Sequence, residues 1–425
     1  MTIDEAATAA AAPTPGPVPA DPSQRFHRRE GDRLVAPEGA LAFRRGMGLG
    51  GWLLPEGYMW DLPTPVDSPR RIEQLVLDMV GEASAAEFWT EYRRRFITAG
   101  DIAAIAAAGF DHVRLPLNSR VIFDGRDLLA DGIAHVDDTI AWCREAGISC
   151  VLDLHGAPGG QTGENIDDSP RRLPELFTDP DAYAQGLRLW RLLAERYADE
   201  PVVSAYDLLN EPLPEKRSEL VPRLADFYRD AIAEIRAVDP HHLLSVEGWN
   251  WATRFEGIDR VWDENSCLHF HKYWSETTTE SLRGVLELRE RLGLPLWMGE
   301  SGENEDGWYA AAFGLFEQHE IPWTFWTWKK IDRPTSPIVI TPPRRWGEVI
   351  DHAAGRGPVP PRAQEILAEL LDALPLAACT IRGGALDALP GISSRGPSTV
   401  GSQDPADRQN PTDPQHPTDQ EGAER

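Results

Sequence analysis

Two glutamates lie where short apolar segments end, in the positions expected of a catalytic carboxylate pair. Glu211 follows AYDLL within the triplet NEP, and Glu300 follows LWMG within MGES. Two facing carboxylates can divide the roles of acid and nucleophile if their surroundings move their pKa values apart. Glycoside hydrolysis is the reaction that needs such a pair, and a separation of about 5–5.5 Å gives retention of configuration. For Glu300 alone, the alternative is a salt bridge at the end of a strand.

Other polar and aromatic side chains occupy equivalent positions at the ends of apolar segments. A single one is explained equally well by a satisfied hydrogen bond at the edge of the core, or by a structural ion pair in the case of the arginine. Together they predict one convergent site. These residues are Arg114 in HVRLP, His155 after VLDL, Asn210 before Glu211, His271 and Tyr273 after CLHF, and Trp326 in WTFWTWK.

The segments that carry these residues alternate with segments of helical periodicity. In LVPRLADFYRDAIAEIRAV, for example, Leu224, Phe227, Ala231, Ile235 and Val238 recur at three- and four-residue spacing, as one buried helix face requires. The apolar segments are apolar throughout, which is typical of strands covered on both faces. There are eight of them, at residues 45–51, 112–117, 148–155, 203–212, 243–248, 266–273, 296–301 and 323–329.

Eight strands with crossover helices predict an α/β fold, the (β/α)₈ TIM barrel, in which chemistry lies at the carboxyl ends of the strands. An open doubly wound sheet is the alternative, but it often carries a glycine-rich phosphate turn and no GxGxxG occurs here. We therefore predict one catalytic domain over residues 31–390. The Ala/Pro-rich segment 1–30 and the acidic tail 391–425 are predicted to be disordered.

Composition narrows the class of partner. With 42 basic and 68 acidic residues the formal charge is −26, which argues against binding nucleic acid or anionic membranes through a basic surface. The 15 tryptophans outnumber the 13 phenylalanines and 8 tyrosines, which favours stacking on the flat apolar faces of sugars, with core packing as the alternative. No obligate protein partner is evident.

Cysteines and termini bear on location. The four cysteines form no CxxC pair, so we predict no structural zinc site and expect free thiols in a reducing compartment. No apolar run approaches the length of a membrane span, and the acidic N-terminus does not resemble a secretory signal. We expect a cytoplasmic protein, with secretion by another route left open.

The order of the motifs resembles glycoside hydrolase family 5, a cellulase-like family of clan A, and is most similar to its exo-β-1,3-glucanase and β-glucosidase branch. The resemblance extends from about residue 44 to about residue 330. It rests on RRGMGLGGW (44–52), GFDHVRLPL (109–117), VLDLHGAPGGQTGEN (151–165), YDLLNEP (206–212), HFHKYW (269–274), MGES (298–301) and WTFWTWK (323–329).

The resemblance implies a role for each candidate residue. Glu211 would be the general acid/base and Glu300 the nucleophile of a retaining mechanism. Asn210 would bind the sugar 2-hydroxyl, Arg114 would keep the nucleophile ionised, and Tyr273 would donate a hydrogen bond to it. The other three would line the subsite of the reacting sugar, with His155 and His271 at its wall and Trp326 as its floor.

These observations predict a retaining β-glycosidase for β-glucosides or β-glucans, with a carbohydrate substrate and no cofactor or metal. A glycolipid or steryl-glucoside β-glycosidase of the same fold and a non-catalytic carbohydrate-binding barrel are alternatives. A metal hydrolase using His155, His269, His271 and Glu300 is a third, but the further Asp/His ligands on other strands are missing.

Loops with several tryptophans add two expectations about the walls of the cleft. The long connection 52–97 contains Trp52, Trp60 and Trp89 and is expected to wall the cleft. Trp249 and Trp251 follow the fifth strand and are expected to form a subsite for the leaving group, with ordinary loop packing as the alternative.

Overall fold

A closed barrel of eight parallel strands forms the centre of the molecule, which a computed structural model describes over residues 22–394. Neighbouring strands follow one another in chain order, and the eighth pairs with both the seventh and the first. The predicted TIM barrel is confirmed. Its strands are β1 (Arg45–Gly48), β2 (His112–Asn118), β3 (Ser149–Gly156), β4 (Val203–Asp207), β5 (Leu243–Glu247), β6 (Ser266–His271), β7 (Leu296–Gly302) and β8 (Trp323–Trp326).

Helices follow the strands and cover the outside of the barrel. α7 buries Leu224, Phe227, Ala231 and Ile235, as its periodicity predicts, but it ends at Arg236. The helices are α1 (Pro69–Val80), α2 (Glu82–Phe96), α3 (Ala99–Ala108), α4 (Ser119–Ile122), α5 (Ala130–Ala146), α6 (Pro180–Tyr197), α7 (Val221–Arg236), α8 (Trp249–Ala252), α9 (Arg283–Leu292), α10 (Asp306–Gln318), α11 (Trp346–Ala353), α12 (Ala363–Ala373) and α13 (Gly383–Asp387).

Shorter elements complete the chain. In the described part of the chain, two small sheets lie outside the barrel, one pairing Arg28–Glu30 with Arg33–Val35 and the other joining Lys329–Ile331, Ile338–Ile340 and Thr380–Ile381. No helix within residues 22–394 is both long enough and apolar enough to cross a membrane. Single 3₁₀ turns are Pro22–Arg25, Gly57–Trp60, Glu175–Phe177, Glu215–Leu220, Thr279–Leu282 and Leu376–Ala378.

The amino-terminal end of the barrel is closed by residues that precede β1. Leu34 and Phe43 are buried and pack in one apolar cluster with Val151, Cys267 and Trp297 from the strands. Residues 22–30, which we expected to be disordered, form a 3₁₀ turn and a paired strand, and Phe26 is buried against the rings of His241 and His242. The remainder of the predicted N-terminal segment (1–21) and most of the predicted tail (395–425) lie outside the described residues.

Candidate active site

All eight predicted site residues lie at the carboxyl end of the barrel. Because parallel strands end at one rim, residues that are distant in sequence meet there. Arg114, His155, His271, Glu300 and Trp326 lie within β2, β3, β6, β7 and β8. The other three follow strands, Asn210 and Glu211 shortly after β4 and Tyr273 two residues after β6.

Glu211 and Glu300 face each other across this rim. An oxygen of each lies within 4.8 Å of the other, and both lie within that distance of a nitrogen of His271. Both side chains are buried, with 7% and 5% of each residue exposed. An approach of two oxygens to within 4.8 Å is compatible with the spacing of about 5–5.5 Å at which the second carboxylate attacks the sugar directly, and is closer than the roughly 6.5–9.5 Å that leaves room for a water.

Arg114 lies beneath the nucleophile candidate and is fully buried. Its Nη1 donates to Glu300 Oε2 at 2.6 Å, its Nη2 to Asn210 Oδ1 at 2.8 Å, and its Nε to Asp207 Oδ2 at 2.9 Å. Tyr273 donates its hydroxyl to Glu300 Oε1 at 2.8 Å. Both oxygens of Glu300 are therefore bound to donors of this site, which orients the carboxylate and favours its ionised form.

Burial raises the pKa values of both glutamates, but different neighbouring residues oppose the rise in each case. Burial raises the pKa of Glu211 to about 7, although His155 and Arg114 partly oppose the rise. Burial also raises the pKa of Glu300, and here His271 and Arg114 oppose it. Glu300 alone of the two is held by the guanidinium at 2.6 Å, so it is the better candidate for the ionised partner and Glu211 for the acid.

The segment after β4 presents Glu211 through a constrained backbone. Glu211 has a φ of 40°, in the left-handed region that is uncommon for residues other than glycine. Its backbone N–H donates to Glu247 Oε2 at 2.7 Å, and Glu247 Oε1 accepts from Arg114 at 2.9 Å. Glu247 thus links the acid/base candidate to the arginine beneath the nucleophile and holds a conformation that is otherwise disfavoured.

Trp326, the predicted floor of the sugar subsite, lies at the end of β8 with its indole against a histidine of the site. Its indole lies parallel to the His155 ring, with centroids 5.3 Å apart and an interplanar angle of 3°. Its Nε1 donates to the Tyr58 hydroxyl at 2.8 Å. A side chain on Gly48 or Gly50 would meet this indole at 2.6–2.7 Å, which explains two of the four glycines of RGMGLGG.

Several residues of the site were missed by the sequence analysis. Asp153 and Asp207 are buried charges inside segments that we read only as strands, and Glu247 is the last residue of β5. Glu56 is 2% exposed, and its pKa is raised well above the ordinary value by burial, then by Glu300 and Glu211. A search for polar residues at the end of every apolar segment finds Glu247, which ends LLSVE. The first apolar segment can be continued through Leu53 and Leu54, and Glu56 then follows its end.

The loop tryptophans do not line the cleft as expected. Trp52, Trp60 and Trp89 are all buried, and Trp60 packs in an aromatic cluster with Trp89 and with the aromatic rings of α2. Trp249 is buried with its indole N–H donated to Glu256 O at 3.1 Å, so this residue fills a loop. Trp251 is half-buried in a left-handed turn.

The structure brings together only some of the residues that the metal-hydrolase alternative would use as ligands. Among the described residues, three groups of three side chains bring possible ligand atoms within 4.8 Å, and two of them contain His271. His155 belongs to none of the groups, since its Nδ1 lies 2.7 Å from Asp153 and its Nε2 3.2 Å from the amide of Asn210. The three groups are Glu247 with His269 and His271, Glu211 with His271 and Glu300, and Asp153 with Asp207 and Glu247.

Comparison with known proteins gives a consistent family. The model of the cellulases (glycosyl hydrolase family 5) matches residues 79–332. A β-xylosidase of Phanerodontia chrysosporium is 28% identical over 341 residues, which cover 71% of this chain and 70% of that protein. A probable glucan 1,3-beta-glucosidase A of Aspergillus fumigatus is 36% identical over 243 residues, which cover 54% of this chain and 56% of that protein. The chain thus spans only about half the length of this glucosidase.

Solved structures agree on the fold. An endoglucanase from the hyperthermophilic Thermotoga maritima superposes with a TM-score of 0.51 at 18% sequence identity, covering 79% of this chain and 99% of the other. At this identity the likeness concerns the fold, the same barrel that the strand order shows.

Proposed function

The chain belongs to the cellulase family, glycosyl hydrolase family 5, and we propose that it is a retaining β-glycosidase that cleaves β-glucosides or β-glucans through Glu211 and Glu300. One observation carries the proposal: two buried carboxylates of unlike surroundings lie with oxygens within 4.8 Å at the open rim of the barrel. Binding a sugar without cleaving it needs no such pair, which argues against a non-catalytic barrel.

In the first step Glu300 attacks the anomeric carbon while Glu211 protonates the departing oxygen. The bond from the anomeric carbon to the leaving group breaks, and a glycosyl ester forms on Glu300. Arg114 and Tyr273 hold the two oxygens of Glu300, so the nucleophile is oriented before substrate arrives. Burial raises the pKa of Glu211 to about 7, so Glu211 is protonated below neutral pH and about half protonated at pH 7, which supplies the proton.

In the second step Glu211, now ionised, removes a proton from water as the water attacks the ester. The anomeric carbon is inverted twice, so the product keeps the β configuration. Asn210 sits beside the pair with its amide oxygen bound to Arg114, and its NH₂ group lies 3.2 Å from His155 Nε2. In the proposed mechanism this NH₂ group is the donor to the sugar 2-hydroxyl.

The names of the relatives guide the choice of substrate. The glucan 1,3-beta-glucosidases support a β-glucoside, and the β-xylosidase supports a related pentose. Glycolipid or steryl-glucoside hydrolysis stays an alternative for the leaving group.

We also propose a cytoplasmic location, because all four cysteines are free and three of them are buried, as a reducing compartment permits. Fractionation of cells of the source organism tests this location.

The test is a panel of aryl β-glycosides and defined β-linked oligosaccharides, with product stereochemistry followed by NMR. The expected result is hydrolysis of β-glucosides in which the β anomer appears first. Initial release of the α anomer contradicts the retaining mechanism. Failure to turn over any activated aryl β-glycoside supports the non-catalytic alternative instead.

A further inference from the structure

A chain of four buried side chains leads from the interior of the barrel to the acid/base candidate. Asp207 Oδ1 lies 3.0 Å from His269 Nδ1, and His269 Nε2 lies 3.0 Å from His271 Nε2. His271 Nδ1 then lies 2.7 Å from Glu211 Oε1. The close approach of His269 to β7 is possible because position 299 is glycine, where a Cβ would lie 1.9 Å from the His269 ring.

The direction of each hydrogen bond in this chain follows from its first member. The other neighbours of His269 Nδ1 are the hydroxyl of Ser245 at 3.1 Å and Glu247 Oε1 at 3.3 Å, so this nitrogen faces oxygens that can accept. Burial lowers the pKa of His269 and of His271 to about 3, so both rings are neutral and each carries one proton. A proton on His269 Nδ1 leaves Nε2 as an acceptor.

The position of the proton on His269 determines, through His271, which form of Glu211 is favoured. Because His269 Nε2 accepts, His271 must donate from its Nε2, and its Nδ1 is left with a lone pair. That lone pair faces Glu211 Oε1 at 2.7 Å, a contact that is favourable only if Glu211 carries a proton. An ionised Glu211 would instead place a carboxylate lone pair against the lone pair of His271 Nδ1, which is unfavourable.

We propose that Asp207 and His269 are positioning residues that fix the tautomer of His271 and thereby keep Glu211 protonated as the general acid. The inference rests on the proposed function, and neither residue touches the substrate. Asp207 is suited to set the direction of these hydrogen bonds because Arg114 Nε donates to its other oxygen at 2.9 Å. Its pKa also lies below the ordinary value, since burial raises that pKa by less than His269 and Arg114 together lower it, so Asp207 is ionised and accepts from His269.

The variant Asp207→Asn is expected to reverse the donor and acceptor in each hydrogen bond from residue 207 to Glu211, with little change in the shape of the side chain. An asparagine can keep its oxygen on Arg114 and turn its NH₂ toward His269 Nδ1, which then accepts. His269 donates from Nε2, His271 donates from Nδ1, and the ionised form of Glu211 gains a hydrogen bond. The other charged or titratable groups that face Glu211 are unchanged by this substitution: Glu56, Arg114, Asp153, His155, Glu247 and Glu300.

The experiment compares the pH dependence of kcat/KM for Asp207→Asn and for the wild-type protein. We expect the alkaline limb to move down by one pH unit or more, and the loss of kcat to be at least tenfold greater for an alkyl glycoside than for a dinitrophenyl glycoside. Asp239→Asn is the matched control, since Asp239 is equally buried and bonded to a histidine, His242, away from this chain. An alkaline limb that stays in place in Asp207→Asn overturns the relay even if activity falls. If the wild type hydrolyses neither glycoside, the proposed function fails and the relay with it.

A different observation concerns Trp274, which is 71% exposed and is the only aromatic among the large apolar side chains exposed within residues 22–394. The indole is held in place despite its exposure, because its Nε1 donates to Glu303 O at 2.9 Å and its ring packs on Tyr273 with centroids 5.1 Å apart. It has a φ of 45°, so a constrained backbone presents this ring to solvent.

Two sets of contacts connect Trp274 to residues of the candidate active site. Its neighbour Tyr273 binds Glu300, and Glu303 also approaches the Tyr58 hydroxyl, which holds the floor residue Trp326. The loop is anchored further by Lys272, whose Nζ donates to Glu276 O at 2.8 Å and Ser281 Oγ at 3.0 Å. Trp326 and the two glutamates are buried whereas Trp274 is exposed, so Trp274 lies outside the site proposed for the reacting sugar.

We infer that Trp274 is the stacking platform for a second pyranose ring, the sugar released as the leaving group; this rests on the proposed function. The test compares kcat/KM of the wild type and Trp274→Ala for a β-linked disaccharide and for the glycosyl fluoride of the same sugar, whose leaving group has no ring. We expect the loss for the disaccharide to exceed the loss for the fluoride by at least tenfold, with Trp274→Phe recovering most of it.

The control is Trp262→Ala, a half-buried tryptophan whose indole N–H also donates to a backbone oxygen, Ile258 O at 3.0 Å. It is expected to leave the ratio of the two substrates unchanged. Equal losses for both substrates in Trp274→Ala, or no loss for the disaccharide, overturn the platform. A wild type that cleaves neither substrate refutes the proposed function together with it.

Discussion

Two of the clusters of buried polar side chains within residues 22–394 can be compared, and only one of the two is built for chemistry. Before β5, at the amino-terminal end of the strands, Asp239 bonds to His242 Nδ1 at 2.5 Å and accepts from the Tyr206 hydroxyl at 2.8 Å. At the carboxyl end, Arg114 lies within 3.1 Å of four carboxylates, those of Asp153, Asp207, Glu247 and Glu300.

The two clusters differ in how charge is balanced. Burial tends to raise the pKa of Asp239, but hydrogen bonds from His242 and from backbone N–H groups lower it to about 2, so this carboxylate is ionised and satisfied. At the other end one guanidinium cannot compensate four carboxylates, and the pKa values of Glu247 and Asp153 rise well above normal through burial and neighbouring carboxylates. Burial of polar groups alone therefore does not indicate a site, whereas an uncompensated set of acids does.

The largest expected difference between the two regions is in catalysis. Glu300→Ala removes the nucleophile and should lower kcat by about 10⁴-fold or more, as loss of a nucleophile does elsewhere. Added azide or formate should restore part of the turnover of an activated glycoside. Asp239→Asn, the equivalent change in the other region, should retain kcat and instead lose about 3–5 kcal/mol of stability, measured by urea unfolding. Ordinary activity of Glu300→Ala would refute the assignment of the nucleophile.

The second difference depends on the leaving group. Glu211→Ala removes the acid, so hydrolysis of alkyl glycosides and disaccharides should fall by about 10²–10⁴-fold. Turnover of a dinitrophenyl glycoside should fall less in its first step, since that leaving group needs little protonation, and the glycosyl ester should accumulate as a burst. Steady-state and burst kinetics with both substrates check this. Equal losses in the first step for the two leaving groups would contradict the acid role.

The third difference is the effect of pH on stability. The pKa of Glu211 is raised by burial from 4.5 to about 7. This glutamate therefore contributes stability that is fully present below pH 4.5 and is lost as the pH rises through about 7. Glu211→Gln does not titrate, so its stability relative to the wild type should increase by about 2–3 kcal/mol between pH 5 and pH 8. Urea unfolding at both pH values measures the change, and a constant difference would contradict the burial of an ionising group.

The smallest effect is the slope of activity against pH. Because Glu211 must be protonated and its pKa is about 7, kcat/KM should fall tenfold per pH unit above about pH 7. The raised pKa of Glu300, which burial causes, places the acid limb above pH 4.5. A pH profile on an alkyl glycoside measures both limbs. Activity that stays constant to pH 9 would assign the proton to another group.

The sequence by itself determined the barrel and the main members of the site. Segments that are apolar throughout are typical of strands covered on both faces, and eight of them separated by helical segments favour a closed barrel over an open sheet. Because the carboxyl ends of all eight strands meet at one rim, Glu211 and Glu300 could be paired from their positions alone. The loops could not be read this way: Trp249 and Trp274 have equal hydropathy and both follow strand ends, yet the first is buried and the second is exposed.

Tertiary structure alone decided which charges share one low-dielectric space and which way their protons point. Asp153 and Asp207 lie inside apolar segments, and only the closure of the barrel brings both to Arg114. The distance from His271 to Glu211 depends on how β6 is placed relative to the segment after β4, and a hydrogen bond forms or fails within a few tenths of an ångström. Sequence patterns specify faces and ends of elements, whereas proton positions follow from distances that only the folded chain fixes.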